Sequence, residues 1–406
     1  MKDKQIQNLI TSEEARQKSV LNLIASENYV SDDVLEALGS VLNNKYSEGY
    51  PGARYYAGNG IIDQIEDLCQ QRTLETFGLS PKKWKVNVQA LSGTPANFAV
   101  YTALVPKGKK IMAMELSHGG HLSHGHKVSA TGMFWNQISY GVDRKTEKLD
   151  YEEIERIAKK NKPDIIVAGF TSYPREINWK KFREIADDVN AIFMVDMSHI
   201  SGLVAGGEYK SPFKYADVVT STTHKTLRGP RSAVIFSRRD KVAEKDGNDF
   251  STKIDKAVFP GLQGGPHQNQ IAAVAVAMKE AQYPSFKKYT KQIKLNAKTL
   301  ARELSLLGWR IVSGGTDSHL LLVDVWNGGE INQKGTGSLT GKVAEEALEK
   351  EGIVVNKNTI PFDNRGPFNP SGIRLGVAAE TTRGAKEKDF VKIANRIDEV
   401  LRKEIK

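Results

Sequence analysis

Between residues 85 and 236 the chain alternates short apolar runs with longer stretches of helical periodicity. The runs fall at 85–88, 110–114, 164–170, 191–195, 217–220 and 233–236. A chain punctuated in this way predicts an α/β fold, with a mostly parallel central sheet and helices on both faces. After about residue 275 the texture changes to long charged helices and two apolar runs, at 319–325 and 352–355. A final helix follows, in which Phe390, Ile393, Ala394, Ile397, Val400 and Leu401 recur at helical spacing. That change predicts a second, smaller α/β domain. No internal repeat or low-complexity linker marks the junction. The expected ranges are 1–50 for an N-terminal helical arm, 51–275 for the large domain and 276–406 for the small C-terminal one.

Two of the runs lead into chemistry. The run 191–195 ends in Asp196, followed by Ser198 and His199. Twenty-nine residues later Lys225 stands in Thr222-Thr223-His224-Lys225-Thr226-Leu227-Arg228-Gly229-Pro230-Arg231, just after another buried run. Most lysines are solvated surface charges. An amine held at a strand end beside small hydroxyl residues is instead what Schiff-base chemistry needs, and a carboxylate at a second strand end is what a protonated pyridine ring needs. Together they point to a pyridoxal phosphate enzyme. An aspartate that merely caps the next helix would also fit the position of Asp196, but it leaves Lys225 unexplained.

With 406 residues, 39% of them hydrophobic and 26% charged, the chain can bury a large core. Its 58 basic and 48 acidic side chains leave a net charge of +10 and a pI near 9.3, which raises nucleic-acid binding as a rival function. The lysines speak against it. Lys287, Lys288, Lys291, Lys294 and Lys298 alternate with Ile293, Leu295 and Leu300 in what reads as an amphipathic helix, so they form its solvated face. Positive charge that attracts anionic small molecules, such as phosphorylated cofactors, needs no specific groove. Cys69 is the only cysteine, which excludes an intrachain disulfide and any multi-cysteine metal site. Residues 1–5 lack the apolar core of a signal peptide, and the run 271–278 is too short to cross a bilayer. A cytoplasmic location without membrane association is expected.

Other segments carry a functional reading beside a plainer one. Ser92-Gly93-Thr94-Pro95 stands between a strand and the helical run 96–104, where backbone N–H groups and hydroxyls form a phosphate cradle. Taken alone, it is an ordinary helix start with proline in the first turn. His118, His121, His124 and His126 crowd together, yet no Asp, Glu or Cys interleaves and the spacing matches no standard zinc motif, so no metal is expected. Arg374 lies in Gly372-Ile373-Arg374-Leu375-Gly376, whose apolar residues and glycines suggest a side chain emerging from a packed strand. A guanidinium there is a two-pronged partner for a carboxylate. Glu48 sits among Tyr46, Gly49, Pro51 and Gly52, in a shaped turn rather than an open loop.

The chain also resembles the serine hydroxymethyltransferase family, block by block and in the family's order. The matching blocks begin with Leu23-Ile24-Ala25-Ser26-Glu27-Asn28, Asn44-Lys45-Tyr46-Ser47-Glu48-Gly49-Tyr50-Pro51-Gly52, Arg54-Tyr55-Tyr56 and Ser117-His118-Gly119-Gly120-His121-Leu122. They continue with Val195-Asp196-Met197-Ser198-His199, Thr223-His224-Lys225-Thr226, Phe259-Pro260-Gly261-Leu262-Gln263-Gly264-Gly265-Pro266 and Ser371-Gly372-Ile373-Arg374-Leu375-Gly376. The resemblance implies a fold-type I pyridoxal-phosphate-dependent transferase. Such an enzyme moves the serine hydroxymethyl carbon reversibly to tetrahydrofolate, giving glycine and 5,10-methylenetetrahydrofolate. It implies that Lys225 carries the cofactor as a Schiff base with Thr223 and His224 beside it, that Ser92, Gly93 and Thr94 hold its phosphate, and that His121 stacks on its ring. Asp196 then pairs with the ring nitrogen, while Thr171 and His199 flank the phenolic oxygen. By the same resemblance Arg374 grips the substrate α-carboxylate with help from Ser26 and Tyr56, and Leu116, Gly120, Asn358 and the Gly366-Pro367-Phe368 turn contact the folate. Glu48, flanked by Tyr46, is the implied proton-transfer group. This segment, with Gly264 and Gly265, reaches into the neighbouring subunit's site, so the resemblance implies a homodimer with shared active sites to which the 1–50 arm contributes. His118, His124 and His126 are read as loop residues.

The chain departs from the family pattern in places. Gly60 replaces a common Glu, Ser198 replaces a usual Ala, and Leu375-Gly376-Val377-Ala378-Ala379 lacks the Thr-Pro often found after this arginine. Plain tetrahydrofolate and a modified pterin both stay open as the one-carbon acceptor. Rival functions stay open too. A threonine or phenylserine aldolase shares Lys225, Asp196 and Arg374 without needing Glu48 or the Asn358 segment. An aminotransferase shares the fold but makes a keto acid, and a basic nucleic-acid-binding protein carries no cofactor.

Overall fold

The computed structural model describes residues 1–242, 249–326 and 339–405. The chain divides into two compact units, Asn28–Lys291 and the pair Met1–Glu27 with Gln292–Lys406. These units divide the chain after residues 27 and 291, whereas the expected ranges divide it after 50 and 275. The later division falls inside the helix Pro284–Leu306, so no turn or change of composition marks it.

The Asn28–Lys291 unit is built on a seven-stranded sheet. In chain order the strands are β1 (Trp84–Asn87), β2 (Lys110–Met114), β3 (Asn136–Tyr140), β4 (Ile165–Gly169), β5 (Ile192–Asp196), β6 (Val218–Thr222) and β7 (Ala233–Arg238). Across the sheet they run β1-β7-β6-β5-β4-β2-β3. The pairs from β3 to β6 are all parallel, and β7 runs antiparallel to both β6 and β1. The expected mostly parallel α/β sheet is the one observed.

Strands β4 and β6 are buried along their whole length, as strands covered on both faces must be. Side-chain alternation identifies the cover. Met194 joins Ile111, Ile165, Val167 and Val218 in one apolar cluster with Ala96, Ala99 and Val100 of the helix Gly93–Leu104. Its neighbour Phe193 points the other way and stacks at 5.9 Å on Phe182 of the helix Trp179–Asp188. Strand β3 has no counterpart among the apolar runs of the sequence, because it lies at the sheet edge and only Tyr140 of its residues is buried. Strands β4 and β5 end together at the Gly169–Asp196 pair, while β6 runs two residues past Thr220, the partner of Asp196, so that Asp196 and Thr222 border one crevice. The carboxyl ends of parallel strands are where open α/β sheets bind their ligands.

The other unit carries a four-stranded antiparallel sheet of β8 (Arg310–Ile311), β9 (Leu320–Asp324), β10 (Asn356–Asn358) and β11 (Gly372–Gly376), ordered β8-β9-β11-β10. Leu21–Asn22 pairs in parallel with Ile353–Val354, which ties the start of the chain into this unit. In the helix Glu387–Glu404 every apolar residue expected on the inner face is buried. In Pro284–Leu306 the sequence reading needs one correction. Lys287, Lys288, Lys291 and Lys298 are exposed and Ile293 and Leu300 buried, but Leu295 is exposed on the lysine side. No helix among the described residues is long and apolar enough to cross a membrane.

Candidate active site

Lys225 sits in the turn that follows β6, closed by the Arg228 N–H on the Lys225 carbonyl and the Gly229 N–H on the Thr223 carbonyl. Its amine donates to Thr222 Oγ1 at 2.8 Å. A cavity of about 200 Å³ opens here. It brings together Ser92, Gly93, Thr94, His121, Thr171, Asp196, His199, His224 and Lys225, with Phe170, Ser198, Thr222 and Arg231 completing the wall. Thr223 is not part of it. Its hydroxyl donates to the Pro230 carbonyl at 2.5 Å and so is used inside the turn, and the neighbouring Thr222 takes the amine instead.

The carboxylate of Asp196 is held from both sides. Oδ1 accepts from the Ser198 backbone N–H at 3.0 Å and from the Ser198 hydroxyl at 2.6 Å. Oδ2 accepts from Asn97 Nδ2 at 2.9 Å and lies 3.0 Å from His124 Nε2. Burial works against the charge, but the His124 contact, the nearby His121 and the Ser198 hydroxyl outweigh it and hold the carboxyl well below the usual carboxylate range. Asp196 is thus ionised throughout the neutral range. It does not cap the next helix, Ser201–Ala205, whose N-cap is Ile200.

His124 lies in a loop, as expected, but is also a buried partner of Asp196. Its neighbours went other ways: His118 Nδ1 accepts the Val142 N–H at 3.2 Å, and His126 Nδ1 accepts that of Val128 at 3.4 Å. Among the described residues no three His, Cys, Asp or Glu side chains converge as a metal-binding set. His121 Nδ1 accepts the Ser123 N–H at 3.1 Å, which fixes the ring against the cavity wall. His224 is kept neutral, its pKa pushed down to about 3 by burial, with the Lys225 and Arg231 cations adding to the shift. Among the described residues its buried Nδ1 has no hydrogen-bond partner.

These residues fit pyridoxal phosphate. Ser92 is the N-cap of the helix Gly93–Leu104 by position, but its hydroxyl makes no capping bond, so the helix start is not self-satisfied. A Cβ on Gly93 would come within 2.8 Å of Thr222 Cγ2, so glycine lets that helix start approach the Lys225 turn. An anion cradle, an amine and an ionised carboxylate then share one cavity.

Another group of expected residues lies outside this cavity although it belongs to the same unit. Tyr46 OH donates to Glu48 Oε1 at 3.4 Å, and the Tyr46 ring meets Tyr56 edge-on at 5.2 Å. A Cβ on Gly264 would touch Glu48 Oε1, and one on Gly265 would press on the Tyr46 ring. Tyr46 and Tyr56 are about half exposed. Leu116 and Gly120 also lie off the cavity wall; a Cβ on Gly120 would meet the Met114 carbonyl oxygen at 2.2 Å, and the Gly120 carbonyl accepts from the Thr171 hydroxyl at 2.7 Å.

In the second unit, Arg374 lies at the centre of β11 and its Nε donates to Asn356 Oδ1 at 3.0 Å. Burial pushes its pKa down to about 10, which leaves it charged at neutral pH. The Ser26 segment is fastened next to it. The Gly376 N–H donates to the Leu23 carbonyl at 2.8 Å and His319 Nε2 lies 3.1 Å from the Ala25 carbonyl oxygen. A Cβ on Gly376 would meet Ala25 Cα at 2.3 Å, so only glycine allows that approach. Asn358 is half-buried, with Nδ2 on the Thr359 carbonyl at 2.6 Å, and Phe368 is solvent-exposed.

The sequence profile of the serine hydroxymethyltransferase family matches residues 1–397. A serine hydroxymethyltransferase of Desulfotalea psychrophila is 52% identical over 399 residues, which cover 98% of this chain and 88% of the relative. A Schizosaccharomyces pombe protein named "Probable serine hydroxymethyltransferase, cytosolic" is 50% identical over 409 residues, covering 98% of this chain and 85% of the relative.

Proposed function

The chain belongs to the serine hydroxymethyltransferase family, and from that premise we propose how its residues divide the work. The protein is a pyridoxal-phosphate-dependent transferase that moves the serine hydroxymethyl carbon reversibly to tetrahydrofolate and yields glycine. The observation that carries the assignment of roles is the meeting of Lys225, Asp196, His121 and Ser92-Gly93-Thr94 at one cavity. When bound, pyridoxal phosphate supplies an electron sink for the bonds broken at the amino acid's α-carbon.

Lys225 provides the amine that holds the cofactor covalently, and the Thr222 hydroxyl orients that amine. Asp196 accepts the ring N–H and, being ionised, keeps the proton there. His121 covers the ring face and excludes water. The hydroxyls of Ser92 and Thr94 and the N–H groups at the helix start take the phosphate. Thr171, His199 and the neutral His224 border the remaining edge. Leu116, Gly120, Asn358 and Phe368 are assigned to the folate by family likeness. A cytoplasmic location is assigned by likeness to the relative named as cytosolic.

The cluster of Tyr46, Glu48, Tyr56, Gly264 and Gly265 lies outside its own chain's cavity and is partly exposed, which supports a homodimer in which it completes the partner's site. The protein loaded with pyridoxal phosphate is expected to convert serine to glycine only with tetrahydrofolate present. Cleavage of serine at the same rate without folate would mark an aldolase instead.

Arg374 is assigned to the substrate carboxylate, which its fork can grip with two parallel hydrogen bonds and an ammonium cannot. Arg374→Lys is expected to weaken glycine and serine binding by roughly 2–5 kcal/mol, the scale for breaking a buried charge pair, and to leave the cofactor absorbance alone. Titration of glycine into the variant measures this. Unchanged affinity would mean that the carboxylate binds elsewhere.

A further inference from the structure

Ser198 makes two bonds that join the cavity's carboxylate to its amine. The serine hydroxyl donates to Asp196 Oδ1 at 2.6 Å and accepts the Thr222 backbone N–H at 2.9 Å. Thr222 in turn receives the Lys225 amine on Oγ1 at 2.8 Å. The need for this side chain follows from the end of the β5–β6 ladder. The last main-chain rungs are the Asp196–Thr220 pair and the Met197 N–H on the Thr220 carbonyl. Beyond them the chain turns towards the helix Ser201–Ala205, and the Met197 carbonyl is taken by the Ile200 N–H. Thr222 is buried, so its N–H needs a partner, and the Ser198 hydroxyl acts as a side-chain rung that continues the ladder.

We propose that Ser198 is a positioning residue that ties the Asp196 carboxylate to the turn bearing Lys225, so that the two contacts to the cofactor are held in one spacing. The proposal rests on the reading that Asp196 and Lys225 serve the same cofactor. Removing the hydroxyl deletes a donor to a charged acceptor and leaves a buried N–H without its partner.

Ser198→Ala and Ser198→Thr are compared with the parent, first without cofactor. In Ser198→Ala the Thr222 amide is expected to exchange with solvent at least about tenfold faster, the response to losing one net hydrogen bond, while Val219 and Ser221 exchange as before. Its affinity for pyridoxal phosphate, followed by absorbance, is expected to fall about tenfold, and Ser198→Thr should retain both properties within about threefold. In a Thr222→Val background the Ser198→Ala loss should shrink to less than about threefold, since the hydroxyl being positioned is gone.

Unchanged exchange at Thr222, protection lost evenly over β5 and β6, or fully additive effects of the two substitutions would each overturn the proposal. A parent protein that binds no pyridoxal phosphate would sink the functional reading instead. The exchange measurement is made without cofactor and does not depend on it.

Discussion

Lys225→Ala is expected to fold, to bind pyridoxal phosphate without a covalent link and to lose serine-to-glycine turnover by about 10⁴-fold or more, the scale for deleting the reactive group of a covalent constellation. Folding should survive because the side chain is only half-buried and its amine donates to Thr222 Oγ1, a hydroxyl that can turn to another partner or to water. The cavity should also keep its carboxylate, since Asp196 is held by Asn97, His124 and Ser198. His224 is a poor substitute for the amine, because burial, the largest cause of its lowered pKa, leaves it a weak base. Borohydride reduction followed by peptide mapping is the decisive measurement. The parent should carry the reduced adduct on Lys225 and the variant should carry none. An active, still-coloured variant whose adduct maps to another lysine would refute the assignment.

The legible part of this fold was the part whose burial is set by local sequence. The strands that became β2, β4, β5, β6 and β7 sit in the covered middle of the sheet, so their apolar runs announced them. Edge strand β3 begins Asn136, Gln137 and is mostly uncovered, so it carries no such signal. The division at residues 291 and 292 was hidden because it falls within a helix whose periodicity continues across it. The site shows the same split. Asp196 is visible because it ends a strand, Lys225 because it follows one, and Ser92-Gly93-Thr94 because it begins a helix. His124 and Asn97 act on Asp196, and Ser198 on Thr222, only through tertiary contacts, from positions 72, 99 and 24 residues away. No motif spacing encodes contacts of that kind. For His124 the one available signal was its closeness to His121; for Ser198 it was its place two residues after Asp196.

Glu48→Gln separates folate-dependent transfer from plain aldol cleavage, because only the folate route needs a group that moves a proton between the amino-acid hydroxyl and the pterin. The substitution preserves size and hydrogen bonding, and the loop should keep its shape. The carbonyls on either side of Glu48, those of Ser47 and Gly49, both accept from Arg54 Nη1, at 2.9 and 2.7 Å. Arg54 is in turn paired with the buried Glu66 at 2.7 Å, so none of this support runs through the Glu48 side chain. Serine-to-glycine turnover with tetrahydrofolate is expected to fall about 10²–10⁴-fold, the usual worth of a positioned acid–base group. Cleavage of 3-phenylserine or allo-threonine, which needs no folate acceptor, should fall much less. Equal loss of both activities would make Glu48 structural or common to every substrate, and loss of neither would put the proton path elsewhere. The same residue tests the proposed dimer. A heterodimer of one Glu48→Gln subunit and one Lys225→Ala subunit has one site with both defects and one with neither, if Glu48 serves the partner's Lys225. Two inactive proteins should then yield about half the parent's activity per heterodimer, as two-fold symmetry requires. No recovery in verified heterodimers would show that each site is completed within a single chain.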